Sequence, residues 1–351
     1  MVEHGAARRR ARTTRRRLLL AALLPTMFLV AVTGDRVDRP AQADDAAGGR
    51  ANEGLLGAGD EFPGPGTVGH AADVPGRHKP AALRVHEGDL VTVRDGQRVQ
   101  GLDITGALVV RHRGVVATDF RANSVSVAST DGTASEASAE LRWCTVGVAT
   151  GNTSTYNAVG LGNFSIYRCD LFGAVDLVKI RHGYARIQES WLHDPVQWAS
   201  DPGQGGAPSH VDLVQTSLQG DVASIVITGN RFDAWAFRPP QRAGDTYGDI
   251  DGSRTSTGYI SIFQHQTAFA IDQVLVEGNR FDGPAWRCFY VIHDGGGGPA
   301  ETRIVGNVLV RNFPEVCREA TLSATTPSAI SWGGNVDEHG VEVTAAGTRL
   351  P

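Results

Sequence analysis

The chain has 351 residues, 20% of them charged, and a formal net charge of −5. That balance excludes a strongly basic nucleic-acid binder, because neutralising phosphates needs a surplus of Lys and Arg. Forty-three glycines against 7% aromatics favour a turn-rich all-β chain over a helical bundle.

The N-terminal stretch "ARTTRRRLLLAALLPTMFLVAV" joins an Arg-rich segment to the apolar run Leu18–Val32, and Ala41 and Ala43 form a small-residue cleavage pattern. Residues 1–43 are therefore expected to be an export signal. Thr14-Arg15-Arg16-Arg17-Leu18-Leu19 resembles the twin-arginine pattern. The apolar run is short for a membrane span, so a secreted or extracytoplasmic protein, free of the membrane once cleaved, is expected. Residues 1–43 hold nine of the 33 basic and three of the 38 acidic residues, which leaves 24 against 35, a net of −11. Such a surface repels polyanions at long range unless a local cationic cleft or a bound cation intervenes.

Residues 44–85, rich in Pro and Gly, read as a linker and N-terminal cap. Residues 86–317 read as one repeat domain, and residues 318–351 as a C-terminal cap and tail. The repeats carry the argument. "LRWCTV" from Leu141, "IYRCDL" from Ile166, "IQESWL" from Ile187, "ITGNRF" from Ile227, "VEGNRF" from Val276 and "IVGNVL" from Ile304 share one pattern. An apolar residue comes first, a small or amide residue three positions on, and another apolar residue two further. The steps are 25, 21, 40, 49 and 28 residues. The short ones fit one coil of chain and the long ones a coil with an insertion. This pattern predicts an all-β fold, a single-stranded right-handed parallel β-helix whose coils stack to bury their apolar faces. Stacked inward Asn side chains would bond to their neighbours above and below.

A second strand follows four of the repeats: "DLVKI" from Asp176, "DLVQT" from Asp212, "SIFQH" from Ser261 and "YVIHD" from Tyr290. Aligned from their first residues, they place Lys179, Gln215, Gln264 and His293 in one column. Asp176, Asp212, Ser261 and Tyr290 form another. Asp176 and Asp212 should then be neighbours, one strand spacing of about 4.8 Å apart. Long insertions at 193–210 and 233–258 are expected to wall a groove beside these columns, since loops of that length are commonly functional.

The four cysteines are Cys144, Cys169, Cys288 and Cys317. Export permits disulfides, and a Cys288–Cys317 bridge is left open. The spacings match no zinc or redox motif.

"FPGPGTVGHAADVPG", "VQGLDITGALVVRHRGVVATDF", "HVDLVQ" and "GYISIFQHQTAFAIDQVLVEGNRFDG" occur in this order over residues 61–313. In that order they resemble secreted bacterial right-handed parallel β-helix proteins of the pectate-lyase-like superfamily. Relatives often carry His-Ser-Asp-Gly-Ile-Gln where this chain has His210-Val211-Asp212-Leu213-Val214-Gln215. The resemblance implies the fold and a polysaccharide partner. The paired Asp-Asp and Gly-His-Gly of polygalacturonase-like hydrolases are missing from residues 86–317. Trp191-Leu192-His193-Asp194 is similar to a pectate-lyase element with its last two residues inverted.

Asp176, Lys179, His210 and Asp212 are the catalytic candidates. Two close carboxylates divide acid and base roles because like charges push their pKa values apart. Lys179 is one of two lysines beside 31 arginines, a choice that suits proton transfer. Arg181, His193, Gln215, Gln264 and His293 are the substrate-binding candidates. His193, His210 and His293 each precede an Asp within two residues, an arrangement that orients a general acid or base. No metal site is assigned. "GDIDGSR" (248–254) resembles part of an acidic calcium loop, so calcium stays open as the sole cofactor. The expected protein is a monomeric exported enzyme cleaving glycosidic linkages, as hydrolase or lyase. The alternative is a non-catalytic glycan-binding or wall-associated protein.

Overall fold

The computed structural model describes residues 62–80, 82–128, 136–148, 157–196, 206, 209–234, 258–264, 269–283, 287–293, 301–310, 321–324 and 330–345. All of them belong to the compact unit Asn52–Pro351. The expected export signal, both long insertions over most of their length, the 248–254 segment and Cys317 lie outside these residues.

The described chain is all-β, with no helix. In order come β1 (Arg84–His86), β2 (Leu90–Val91), β3 (Arg98–Val110), β4 (Val115–Val127), β5 (Ala139–Val146), β6 (Val159–Tyr167) and β7 (Asp170–Leu171). Next are β8 (Val178–Gln188), β9 (Trp191–His193), β10 (Asp212–Thr216), β11 (Val222–Thr228), β12 (Arg231–Asp233), β13 (Gly258–Gln264) and β14 (Gln273–Glu277). Last come β15 (Arg280–Asp282), β16 (Arg287–His293), β17 (Glu301–Val305), β18 (Val308–Leu309), β19 (Thr321–Ala324), β20 (Ile330–Gly333) and β21 (Val336–Asp337). Every strand pairing is parallel, and the sheet is not closed into a barrel.

Successive repeats stack in three ladders, and each has one apolar column at its heart. The first runs Val125, Val159, Val178, Val214, Ile260, Phe289. The second runs Leu141, Ile166, Ile187, Ile227, Val276, Ile304. The third runs Val146, Leu171, Leu192, Phe232, Phe281, Leu309. All are buried in one core cluster, and each such side chain contributes roughly 2 kcal/mol by leaving water. Alternation in β8, where Val178 and Ile180 are buried while Lys179 and Arg181 are partly exposed, sends the polar residues to the outer face. Pairing continues through β20 and β21, inside the stretch that reads as a cap and tail in the sequence.

The bend from the second ladder into the third is built the same way in each repeat. One residue adopts positive φ, and the next turns inward. The positive-φ column is Asp119, Trp143, Arg168, Glu189, Gly229, Gly278, Gly306, Gly334. The inward column after it is Phe120, Cys144, Cys169, Ser190, Asn230, Asn279, Asn307, Asn335. Cys144 and Cys169 are disulfide-bonded, with Cα atoms 4.6 Å apart. Below them each side chain accepts the backbone N–H of the repeat before it. Ser190 Oγ takes Cys169 N (3.1 Å), Asn230 Oδ1 takes Ser190 N (2.9 Å) and Asn279 Oδ1 takes Asn230 N (2.9 Å). Asn307 and Asn335 continue the series at 2.9 and 3.0 Å. The expected inward asparagine stack is therefore present, and it extends one repeat further, to Asn335.

Residues 62–78 form a strap across this bend. Gly69 N donates to Arg168 O (2.9 Å) and Arg168 Nη1 to Thr67 O (3.4 Å). A Cβ on Gly69, which has φ +81°, would lie 2.6 Å from Thr145 Oγ1 and 3.0 Å from Asp170 Cβ. His78 stacks on Trp143, with ring centroids 4.3 Å apart, and bonds Asp119 through Nε2 and Ala72 O through Nδ1.

Candidate functional site

The first ladder gathers four of the predicted residues. Asp176 and Asp212 stand at adjacent strand entrances, 4% and 1% exposed. Asp212 N donates to Asp176 Oδ1 at 3.3 Å, so the two are neighbours although they stand 36 positions apart in the chain. Lys179 Nζ donates to Asp176 Oδ2 at 2.8 Å. Gln215 Nε2 donates to Asp212 Oδ2 at 2.7 Å, and Ser261 Oγ donates to Asp212 Oδ1 at 2.7 Å. Both carboxylates are thus engaged on both oxygens, and each fixes the direction of a donor.

The register corrects both expected columns. Lys179 pairs with Gln215, Gln215 with Ser261, and Ser261 with Tyr290. Gln264 and His293 do pair with each other, but three residues beyond that rung. Asp212 pairs instead with Gly258. The inward Val214, Ile260 and Phe289 set this register. A one-residue slip would turn them out of the core, whereas matching Gln to Gln buries nothing. The side chains of Gln264 and His293 are outside the described set. Ser261, read as a member of the Asp176 column, belongs to the row of Lys179 and Gln215.

Arg181 lies two residues along β8, and its Nη1 donates to Gln219 Oε1 at 3.3 Å. His182, the next residue along β8, is buried; burial first, and then Arg181, hold it below the ordinary His range. His210 is exposed just before β10.

His193 belongs elsewhere, in the third ladder, where it pairs with Asp233. It is 9% exposed. Its Nε2 donates to Asp170 Oδ1 (2.7 Å) and its Nδ1 to Asp194 Oδ2 (2.9 Å), and its ring stacks 3.7 Å from Trp191. Burial opposes its charge, but the hydrogen bonds and charges of Asp170 and Asp194 win and raise it to about 9. A histidine already holding both protons, with both donated to carboxylates, is a fixed cation rather than a base. Trp191 Nε1 donates to Asp233 Oδ2 at 2.6 Å, and Arg231 lies over its ring.

Ser261 and Tyr290 were placed by sequence reasoning in the wrong column, and Asn157 was not singled out. Asn157 sits over Gly160, the rung partner of Lys179. A lone Asn before an apolar pair carries no periodic signal. No cluster of three or more His, Cys, Asp or Glu side chains suited to a metal occurs among the described residues. No described helix is long and apolar enough to cross a membrane. No family model, curated protein or solved structure matches the chain.

Proposed function

We propose that the chain is an exported right-handed parallel β-helix protein of pectate-lyase-like type. It holds a polysaccharide lengthwise against the part-exposed row of Lys179, Gln215 and Tyr290. The stacking of three parallel ladders in steps of one repeat supports the helix reading. One observation carries the binding reading. Buried carboxylates lie at the strand entrances, and two of the donors they aim are part-exposed on the outer side: Asp176 holds Lys179, while Asp212 holds Gln215 and is itself fixed by the buried Ser261. A preset row of donors lowers the ordering cost of binding an extended polar chain. Arg181, which among the described residues bonds Gln219 and not a carboxylate, supplies a local positive charge on an acidic protein.

Cleavage of a glycosidic linkage is the second reading, and the close pair Asp176–Asp212 favours it. Adjacent strand entrances that each carry a carboxylate supply the two groups that glycoside hydrolysis uses. In the alternative elimination chemistry Lys179 would first leave its ion pair with Asp176, because only a neutral amine accepts a proton. His210, exposed beside Asp212, would then be the group nearest solvent for proton exchange.

The secreted protein should be titrated against a panel of neutral and acidic glycans. Reducing ends and unsaturated-uronate absorbance are followed in parallel. The expected result is binding without products, weakened about tenfold, or roughly 1.4 kcal/mol, in Lys179→Ala. Products that disappear in Asp212→Asn would replace binding with cleavage. Absence of binding to every glycan would remove both readings.

A further inference from the structure

Two buried side-chain atoms beside the Lys179 row have no hydrogen-bond partner among the described residues: Asn157 Oδ1 and Arg181 Nε. Buried polar groups in folded proteins are nearly always satisfied, so each exception calls for an explanation. Both flank one residue. Arg181 is two positions from Lys179 on the same strand and leans outward like it. Asn157 belongs to the preceding repeat, and its amide lies over Gly160, which pairs with Lys179. In-register parallel neighbours point their Cβ positions the same way, so that amide stands on the outer side, next to the stem of Lys179. Gly160 leaves the space. A Cβ there would fall 2.8 Å from Asn157 Nδ2.

The two orphans differ in sign. Asn157 Oδ1 only accepts; Arg181 Nε only donates. A phosphate, sulfate or carboxylate oxygen satisfies the arginine but faces the asparagine oxygen lone pair to lone pair. A hydroxyl group both donates and accepts. We infer that Asn157 and Arg181 form a subsite for sugar hydroxyls at the Lys179 end of the row, with Asn157 taking a hydroxyl proton and Arg181 giving one to a hydroxyl oxygen. This rests on the polysaccharide reading above and adds a selectivity to it: the position beside Lys179 is read for neutral hydroxyls, not for acid groups.

The experiment uses the full secreted chain and hexasaccharides of β-1,4-glucan, β-1,3-glucan and β-1,4-xylan, each native and O-methylated. Methylation removes hydroxyl donors and keeps the oxygen acceptors. The wild-type protein should prefer the native form of whichever sugar binds. Asn157→Ala should shrink that preference about tenfold. Gly160→Ala, which displaces the same amide, should do likewise. Arg181→Lys keeps the charge but loses Nε, and should weaken both forms together. Inorganic sulfate should not compete at the concentration of bound sugar. An unchanged native-to-methylated ratio in both Asn157→Ala and Gly160→Ala overturns the subsite while leaving the Lys179 row standing. Failure of all the sugars, together with failure of acidic glycans, overturns the row as well.

Discussion

The bend between the second and third ladders is made from two kinds of residue. In the later repeats the positive-φ position is Gly229, Gly278, Gly306 or Gly334, followed by Asn. In the earlier repeats it is Asp119, Trp143, Arg168 or Glu189. A side chain in that conformation costs about 1 kcal/mol or more. The four that accept this cost all touch the strap or its anchors. Asp119 bonds His78, Trp143 stacks on His78, Arg168 bonds Thr67 O, and Glu189 faces Arg77 and Arg168. One position thus serves two ends. Where nothing described crosses it, glycine minimises strain; where the strap crosses it, a side chain grips.

The largest expected effect lies in the glycine half. Asn279 Oδ1 accepts from Asn230 N and Asn230 Nδ2, and Asn279 Nδ2 donates to Ile227 O and to Asn307 Oδ1. Asn279→Ala leaves several buried groups unpaired and should destabilise by about 4 kcal/mol. Denaturant unfolding measures it. A loss under about 1 kcal/mol would reduce the amide column to decoration.

The next effect belongs to the strap side. The folded pKa of His193 is raised from 6.5 to about 9. A raised value means that its contribution is fully present below about 6.5, the unfolded value, and fades as pH rises through about 9. The sum is on the order of 3 kcal/mol. Amide exchange should therefore accelerate around β7 and β9 between neutral and alkaline pH, before it does so around β15 and β18. His193→Gln should flatten that pH dependence. Equal acceleration in both halves would show that His193 does not set it.

The smallest effects test the exchange of roles directly. Nothing lies within 4 Å of a Cβ built on Gly278, so Gly278→Ala should cost only backbone strain, about 1 kcal/mol. Glu189→Gly relieves similar strain but gives up half-exposed ion pairs with Arg168 and Arg77. It should come out within about 0.5 kcal/mol of neutral. Thermal midpoints of the two variants give the comparison, and equal losses would end it.

The repeat was legible because "GN" and its flanking apolar residues recur, and Asn230, Asn279 and Asn307 do stack. Asn335 carries the same signal, 28 residues after Asn307. Cys144 and Cys169 already occupied that column in the alignment of repeats, so their bridge was within reach. The pairing of Gln215 was not, because a long insertion before β13 leaves the register free and only the core residues decide it. The strap was hidden too. "FPGPGTVGHAADVPGRH" has no alternation, and its partners are surface positions that no pattern marks. The neighbourhood of Asp176 and Asp212 came from strand alignment alone, but their engagement by Lys179, Gln215 and Ser261 depends on side-chain directions that sequence does not report.

The asparagine column has one more property. From Asn279 to Asn307, and again from Asn307 to Asn335, the interval is 28 residues. Each interval takes in one amide oxygen and hands one on, in the same sense. A duplicated interval would meet matching chemistry at both seams, and each copy would lengthen the molecule by about 4.8 Å. Evolution or an engineer can extend this end like a ruler, while the strapped end, whose parts are all individual, stays one fixed length.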